Sequence, residues 1–150
     1  MNNSQQRKYV HAMHAWYDPR AQQTIQSLAE LAEARRQGEK EGPGFIVILD
    51  DLNFVEDLSV ESQVDLRWLL AYGAQSNIWL VATIKAGYTP RFRFWLEAFR
   101  TRIIGCVRGK QDLANVSLIP GFQMKSLAPS EFRVWTGADW LTYQLPLLGT

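Results

Sequence analysis

Phe45-Ile46-Val47-Ile48-Leu49-Asp50-Asp51 decides how this chain reads. Five apolar residues run without a break and end in two adjacent carboxylates. A run this short, with β-branched residues inside it, predicts a strand buried on both faces. Gly42, Pro43 and Gly44 mark the turn that precedes it. The acids then stand at the strand's C-terminal end, outside which ligands bind in open parallel sheets. Two neighbouring acids there suit a metal site, one acid toward Mg²⁺ and the other toward a water molecule. The plainer alternative is that Asp51 starts a loop while Asp50 caps a nearby backbone group.

Two further strands follow the first. Residues 78–83, Ile-Trp-Leu-Val-Ala-Thr, form a second apolar run that ends in the hydroxyl of Thr83. In a parallel sheet this hydroxyl lies beside Asp50 and Asp51. Residues 102–107, Arg-Ile-Ile-Gly-Cys-Val, form a third run flanked by Arg102 and Arg108. Cys106, the only cysteine, excludes an internal disulfide and reads as a small core residue.

Helices are expected between the strands. Asp18-Pro19 pairs an N-cap residue with proline at the first helical position. Ile25, Leu28, Ala29 and Ala32 make the apolar stripe behind it. Arg35, Arg36 and Lys40 complement its C-terminal dipole, and the Arg pair reads as a solvated end. Residues 52–58 read as a polar, acidic loop. Ser59 reads as the next N-cap, with Glu61 in the first turn. Val64, Trp68, Ala71 and Gln75 are expected on one face of that helix, with Leu69 and Leu70 widening it. Asn77 suits a left-handed stop. Thr89-Pro90 reads as a third helix start, with Phe92, Trp95, Leu96 and Phe99 as its buried stripe. Residues 112–115 suggest a short helical turn. Beyond them, residues 122–127, 132–136 and 140–145 read as short antiparallel strands, with turns at Pro129-Ser130 and Gly137-Ala138-Asp139.

Composition narrows the class. The 150 residues are 47% apolar, enough for a packed core. Sixteen basic and fifteen acidic residues give a net charge of +1, so a nucleic-acid or membrane surface would have to be local. No stretch is long and apolar enough to span a membrane, and the polar start is no signal peptide. A cytoplasmic location is the resulting expectation. His11 and His14 stand at a spacing that suits a metal on a helix, with no third ligand nearby in sequence.

The stretches FIVILDDL, YGAQSNIWLVAT, RTRIIGCVRGKQDLANV and EFRVWTGADWLTYQLPLL, in this order, resemble the C-terminal half of the motor domain of the FtsK/HerA superfamily of P-loop ATPases. FIVILDDL looks like its Walker B strand, and YGAQSNIWLVAT like its sensor strand. The resemblance covers residues 18 to the C-terminus. It implies an α/β fold: a mainly parallel sheet with flanking helices, part of a RecA-like P-loop NTPase core, and a C-terminal antiparallel hairpin region. The expected organisation is an irregular segment over residues 1–17 and one α/β domain over residues 18–150.

The resemblance also implies roles. Asp50 would hold Mg²⁺ through water, Asp51 would orient the attacking water, and Thr83 would sense the γ-phosphate of ATP. Arg102 or Arg108 would act on a neighbouring subunit's site. The implied partners are further copies or a missing N-terminal half, with DNA engaged through the full assembly. Arg91, Arg93, Arg100, Arg102, Arg108 and Lys110 lie near Phe92, Phe94 and Trp95, a mixture that suits single strands.

Three departures set this chain apart from that family. Asp51 stands where Glu is usual, and Ile84 follows Thr83 where a polar residue is usual. There is no P-loop: Gly109-Lys110 is the only Gly-Lys pair, Ile104 stands five residues before Gly109, and Gln111 replaces Ser or Thr. The departures favour a second reading, a degenerate, non-catalytic copy that serves assembly or partner binding. A phosphoacceptor receiver domain, which also has paired acids and a Thr-tipped strand, would place another strand between those two features.

Overall fold

A computed structural model describes residues 10–15, 17–116 and 127–146. The elements are α1 (Pro19–Arg36), β1 (Phe45–Leu49), a 3-10 segment (Leu52–Asp57), α2 (Val60–Tyr72), β2 (Ile78–Ala82), α3 (Arg93–Glu97), β3 (Arg102–Ile104), α4 (Lys110–Val116), β4 (Glu131–Trp135) and β5 (Trp140–Gln144). The chain folds as two compact units. One takes the chain through Ile46 and Phe54–Trp79; the other takes Val47–Asn53 and Leu80 onward. Among the described residues no helix is long and apolar enough to cross a membrane.

The protein is mixed α/β. β1 and β2 pair with each other, and β3, β4 and β5 form a separate sheet in that order. The β1–β2 pair is parallel: the Phe45 amide donates to Asn77 O at 2.8 Å, and the Thr83 amide donates to Leu49 O at 3.0 Å. The larger sheet is antiparallel. The expectation of one mainly parallel sheet that includes residues 102–107 therefore gives way. β3 is only three residues long, and its partner is β4, with Ile103 opposite Val134. The hairpin expected near the C-terminus is present as β4–β5. In it Phe132 stacks on Tyr143 with ring centroids 5.3 Å apart, and Trp135 lies opposite Trp140. Gly137, at φ +97°, makes its turn. Residues 122–126, part of another expected strand, lie outside the described residues.

In the first unit α1 starts as its sequence dictates. Asp18 accepts from the Arg20 amide, and Pro19 takes the first helical position. Ile25, Ala29 and Ala32 are buried on α1, and Leu66 and Leu69 on α2. Two polar ties join the helices. Gln22 Oε1 accepts from Ser59 N and Ser62 Oγ at the N-terminal end of α2. Beyond its C-terminal end, Ser76 Oγ donates to Ala32 O at 2.8 Å. Early α1 thus meets early α2 and late α1 meets late α2, so the helices run in the same direction.

Several local expectations are corrected. The buried side of α2 is Ser62, Leu66 and Leu69, whereas Val64, Ala71 and Gln75 are exposed. Burial follows the α1 contact, and counting from Val64 selects the opposite face. Arg35 is not a solvated end: its guanidinium donates to Ser76 O and Pro43 O and lies over the Phe45 ring. Arg36 does face solvent, paired with Glu33. Gly44 is forced by space, because a Cβ there would meet the Trp79 ring at 2.7 Å.

The segment expected as a loop is a 3-10 segment, Leu52–Asp57, and Leu52, Val55 and the following Leu58 are buried. This i, i+3, i+6 spacing is that of three residues per turn. Thr89-Pro90 starts no long helix. Thr89 Oγ1 donates back to Ala86 O, and α3 begins only at Arg93 and lasts five residues. Phe92 and Trp95 are nevertheless buried as expected.

In the second unit Ile104, Val116 and Leu127 form a buried cluster against Ala86, Val107 and Trp140. Cys106 is exposed, because Ile104 turns inward and the chain leaves the strand after it.

β1 is not buried on both faces. Ile46 and Ile48 are each 70% exposed, and Trp79 and Val81 on β2 are also exposed. The hydrogen-bond register sets Ile46 beside Trp79 and Ile48 beside Val81. One side of this sheet is covered and the other is bare and apolar.

Candidate functional site

The two parallel strands deliver their end residues to one place. β1 ends at Leu49, so Asp50 and Asp51 follow directly; β2 ends at Ala82, so Thr83 follows directly. All three belong to the second unit. Thr83 Oγ1 donates to Asp50 Oδ1 at 2.9 Å and accepts from the Asp51 amide at 2.8 Å. Thr83 O accepts from the Leu52 amide at 2.7 Å. A single threonine thus secures three consecutive residues across the strand ends.

The two acids differ in setting. Asp50 is exposed, and its second oxygen accepts from no described residue. Asp51 is half-buried and has φ +65°, a left-handed conformation that a short polar side chain tolerates. Its Oδ1 accepts from the Asn53 amide at 3.3 Å, which caps the 3-10 segment. The plainer alternative given by the sequence therefore has structural content: Asp51 does start and cap a turn. Asn53 and Leu52 belong to this arrangement, although nothing about either residue type marks it as part of a site. The threefold spacing of Leu52, Val55 and Leu58 is the signal that marks the turn.

The two arginines lie elsewhere in the second unit. Arg102 is half-buried. Its Nη2 donates to Leu96 O at 3.0 Å and its Nε to Phe99 O at 3.3 Å. It satisfies carbonyls at the end of α3, a common use of arginine near a helix C-terminus. Burial lowers its pKa from the ordinary guanidinium value, and Glu97 partly opposes that shift. Arg108 is exposed and lines, with Thr83 and Arg102, a cavity of about 940 Å³.

The basic and aromatic residues around α3 divide between core and surface. Phe92 and Trp95 are buried, and Phe94 is exposed. Arg93 pairs with Glu97 at 3.0 Å. In the first unit His11 lies against the Phe45 ring with centroids 5.3 Å apart.

The donor set at the strand ends fits a hard cation held largely by its own water. Asp50 offers one carboxylate oxygen not committed to Thr83, and Mg²⁺ is often bound by one or two carboxylates with retained waters. The same residues do not fit a triphosphate. No glycine-rich loop with a following Lys-Ser/Thr occurs in the sequence, and α4, which follows Gly109, begins with Lys110-Gln111. No protein-family model, curated protein or solved structure matches the chain.

Proposed function

We propose that this chain is the Walker B and sensor half of an FtsK/HerA-like nucleotide-hydrolysing domain, part of a RecA-like core whose P-loop is supplied by another polypeptide segment. The observation that carries this reading is the Thr83–Asp50 hydrogen bond, 2.9 Å long, at the ends of two adjacent parallel strands. Thr83 fixes the Asp50 carboxylate with one oxygen held and the other presented to solvent. Asp50 is then the metal-holding acid, and bound Mg²⁺ would supply charge neutralisation for phosphate oxygens. Asp51, held beside it, is the acid that orients water. Thr83 has its proton committed to Asp50, so it acts first as a positioning residue. By the same resemblance, the completed assembly would be an oligomer that moves DNA or another polymer.

A second reading has its own observation. The Asp51 carboxylate caps the turn at Asn53, and its left-handed backbone is a structural commitment. This favours a non-catalytic relative that keeps the fold for assembly.

Titration with Mg²⁺, followed by amide NMR, separates the two readings. Under the first, the resonances of Asp50, Asp51 and Thr83 shift together, and Asp50→Ala abolishes the shift. No shift at these residues up to high Mg²⁺ concentration would leave the assembly reading. The isolated chain is expected to hydrolyse ATP no faster than buffer, because positioning of the phosphates supplies most of the catalysis in phosphoryl transfer. Robust turnover by these residues alone would sink the half-domain argument.

A further inference from the structure

The cavity of about 940 Å³ in the second unit has consecutive residues of two strands and their extensions on two of its walls, 80–86 on one and 101–108 on the other, and residues of α3 and α4, Leu96 and Val116 among them, complete its lining. Alternate residues of a strand line a space that faces the sheet; consecutive residues line a space that faces the strand's edge. Each wall therefore presents a strand edge. β2 pairs only with β1, and β3 only with β4, so each has a second edge with no strand on it among the described residues. The Thr83 amide points at Leu49 O, so with parallel alternation the Val81 amide also faces β1. The amides of Leu80 and Ala82 face the other way, toward the cavity. Among the described residues neither makes a backbone hydrogen bond outside the β1–β2 pair.

We infer that this cavity is a docking slot for an extended, apolar segment of a second polypeptide, which adds a strand between β2 and β3. Rows of unpaired backbone donors and acceptors recognise another backbone, and side-chain pockets then select its residues. The walls are mainly apolar and favour apolar ones: Leu80, Val81, Ile103, Ile104 and Val107 lie along them, with Thr83 and Arg102 as polar members. A second folded copy does not fit the role. A strand that enters between two edges needs both of its own edges free, and every described strand of this chain already has a partner. The occupant is therefore an extended segment not yet in a sheet. This inference stands on the strand edges alone and requires no nucleotide chemistry.

Amide hydrogen exchange of the whole chain, alone and with a binder, tests it. Alone, Leu80 and Ala82 are expected to exchange at least tenfold faster than Val81 and Thr83. The binders are peptides selected on the chain from a random dodecapeptide display library. The selected sequences are expected to be rich in β-branched residues and to slow exchange at Leu80 and Ala82 at least tenfold. Ala82→Pro removes a donor that faces the slot and leaves the β1–β2 ladder bonds in place, so it is expected to weaken binding at least tenfold. Exchange on the unmodified chain decides between occupied and empty edges even if that variant fails to fold. Four results would each overturn the inference: Leu80 and Ala82 already as protected as Val81; no peptide above background; peptides that bind without protecting these amides; or protection that rises with chain concentration alone, which would make the occupant a second copy.

Discussion

The Thr83 hydroxyl donates to Asp50 Oδ1 at 2.9 Å while it accepts from the Asp51 amide, so one side chain holds both acids in place. Thr83→Val keeps the shape and removes both bonds. The group is exposed, and water replaces part of what is lost, so the expected cost is about 1 kcal/mol. A double-mutant cycle with Asp50→Ala should return a coupling of about 0.5–1.5 kcal/mol by urea denaturation. Thr83→Ser should restore most of it. A coupling of zero would mean that the pair does not form in solution.

Asp51 needs variants chosen for its backbone. At φ +65° a β-branched residue is strained, whereas Asn and Gly tolerate this region. Asp51→Asn also keeps a side-chain oxygen for the Asn53 amide. It should leave the urea midpoint nearly unchanged, while Asp51→Val should cost about 1–3 kcal/mol. In a P-loop-completed assembly, Asp51→Asn is then the clean test of water orientation: turnover is expected to fall while nucleotide binding persists. A loss of folding in Asp51→Asn would contradict this account of the turn.

The helix α2 shows why part of the fold was legible in sequence and part was not. Ser59 as N-cap and Asn77 as left-handed stop were both readable, because local chemistry decides them. The face of α2 was not, because Val64 and Leu66 are equally apolar and only the position of α1 chooses between them. The same limit applies to β1. Its apolar run identified the strand, yet Ile46 and Ile48 are bare because nothing in the described chain covers that side. The acids and Thr83 were legible as a cluster, since parallel strands bring their ends together. The role of Arg102 was not, because the carbonyls it satisfies, Leu96 O and Phe99 O, lie at and just beyond the end of a helix that is much shorter than the sequence suggests.

These two positions on α2 give a direct stability test. Leu66 is fully buried, and Leu66→Ala should cost about 2–5 kcal/mol. Val64 is 58% exposed, and Val64→Ala should change stability by less than about 0.5 kcal/mol. Equal losses at the two positions would mean that the helix is rotated from the orientation described.

Asp18 predicts a response to acid. Its side-chain hydrogen bonds from Arg20, with the Arg20 backbone N–H next in importance, hold its carboxyl down to about 2 from an ordinary 3.8. A carboxyl whose pKa is lower in the folded state stabilises the fold above its ordinary value, and that contribution is lost as pH falls through the folded value. The loss should therefore run from about pH 4 downward through pH 2, and be flattened in Asp18→Asn. Its partner Arg20 is exposed, so the effect should also weaken in high salt. An unchanged acid limb in Asp18→Asn would show that the Arg20 contact does not persist in solution.

The bare side of β1 and β2 predicts self-association. Ile48 and Val81 are 70% and 50% exposed and lie side by side, with Ile46 and Trp79 forming the preceding pair along the same strands. Contiguous apolar surface on a sheet seeks a cover, and in the isolated chain the available cover is another molecule of the same chain. Burying one such side chain is worth about 1.5–3 kcal/mol, which corresponds to about a tenfold or greater change in dissociation constant. Sedimentation equilibrium should therefore show a reversible oligomer, and Ile48→Lys should weaken it at least tenfold. The substitution faces solvent, so its urea midpoint at low concentration should match that of the parent. This association differs from strand addition, since it buries side chains of the sheet face and leaves the Leu80 and Ala82 amides exchanging. A strict monomer at high concentration would mean that this face is covered by part of the chain itself, and would remove the main reason to expect a missing partner on that side.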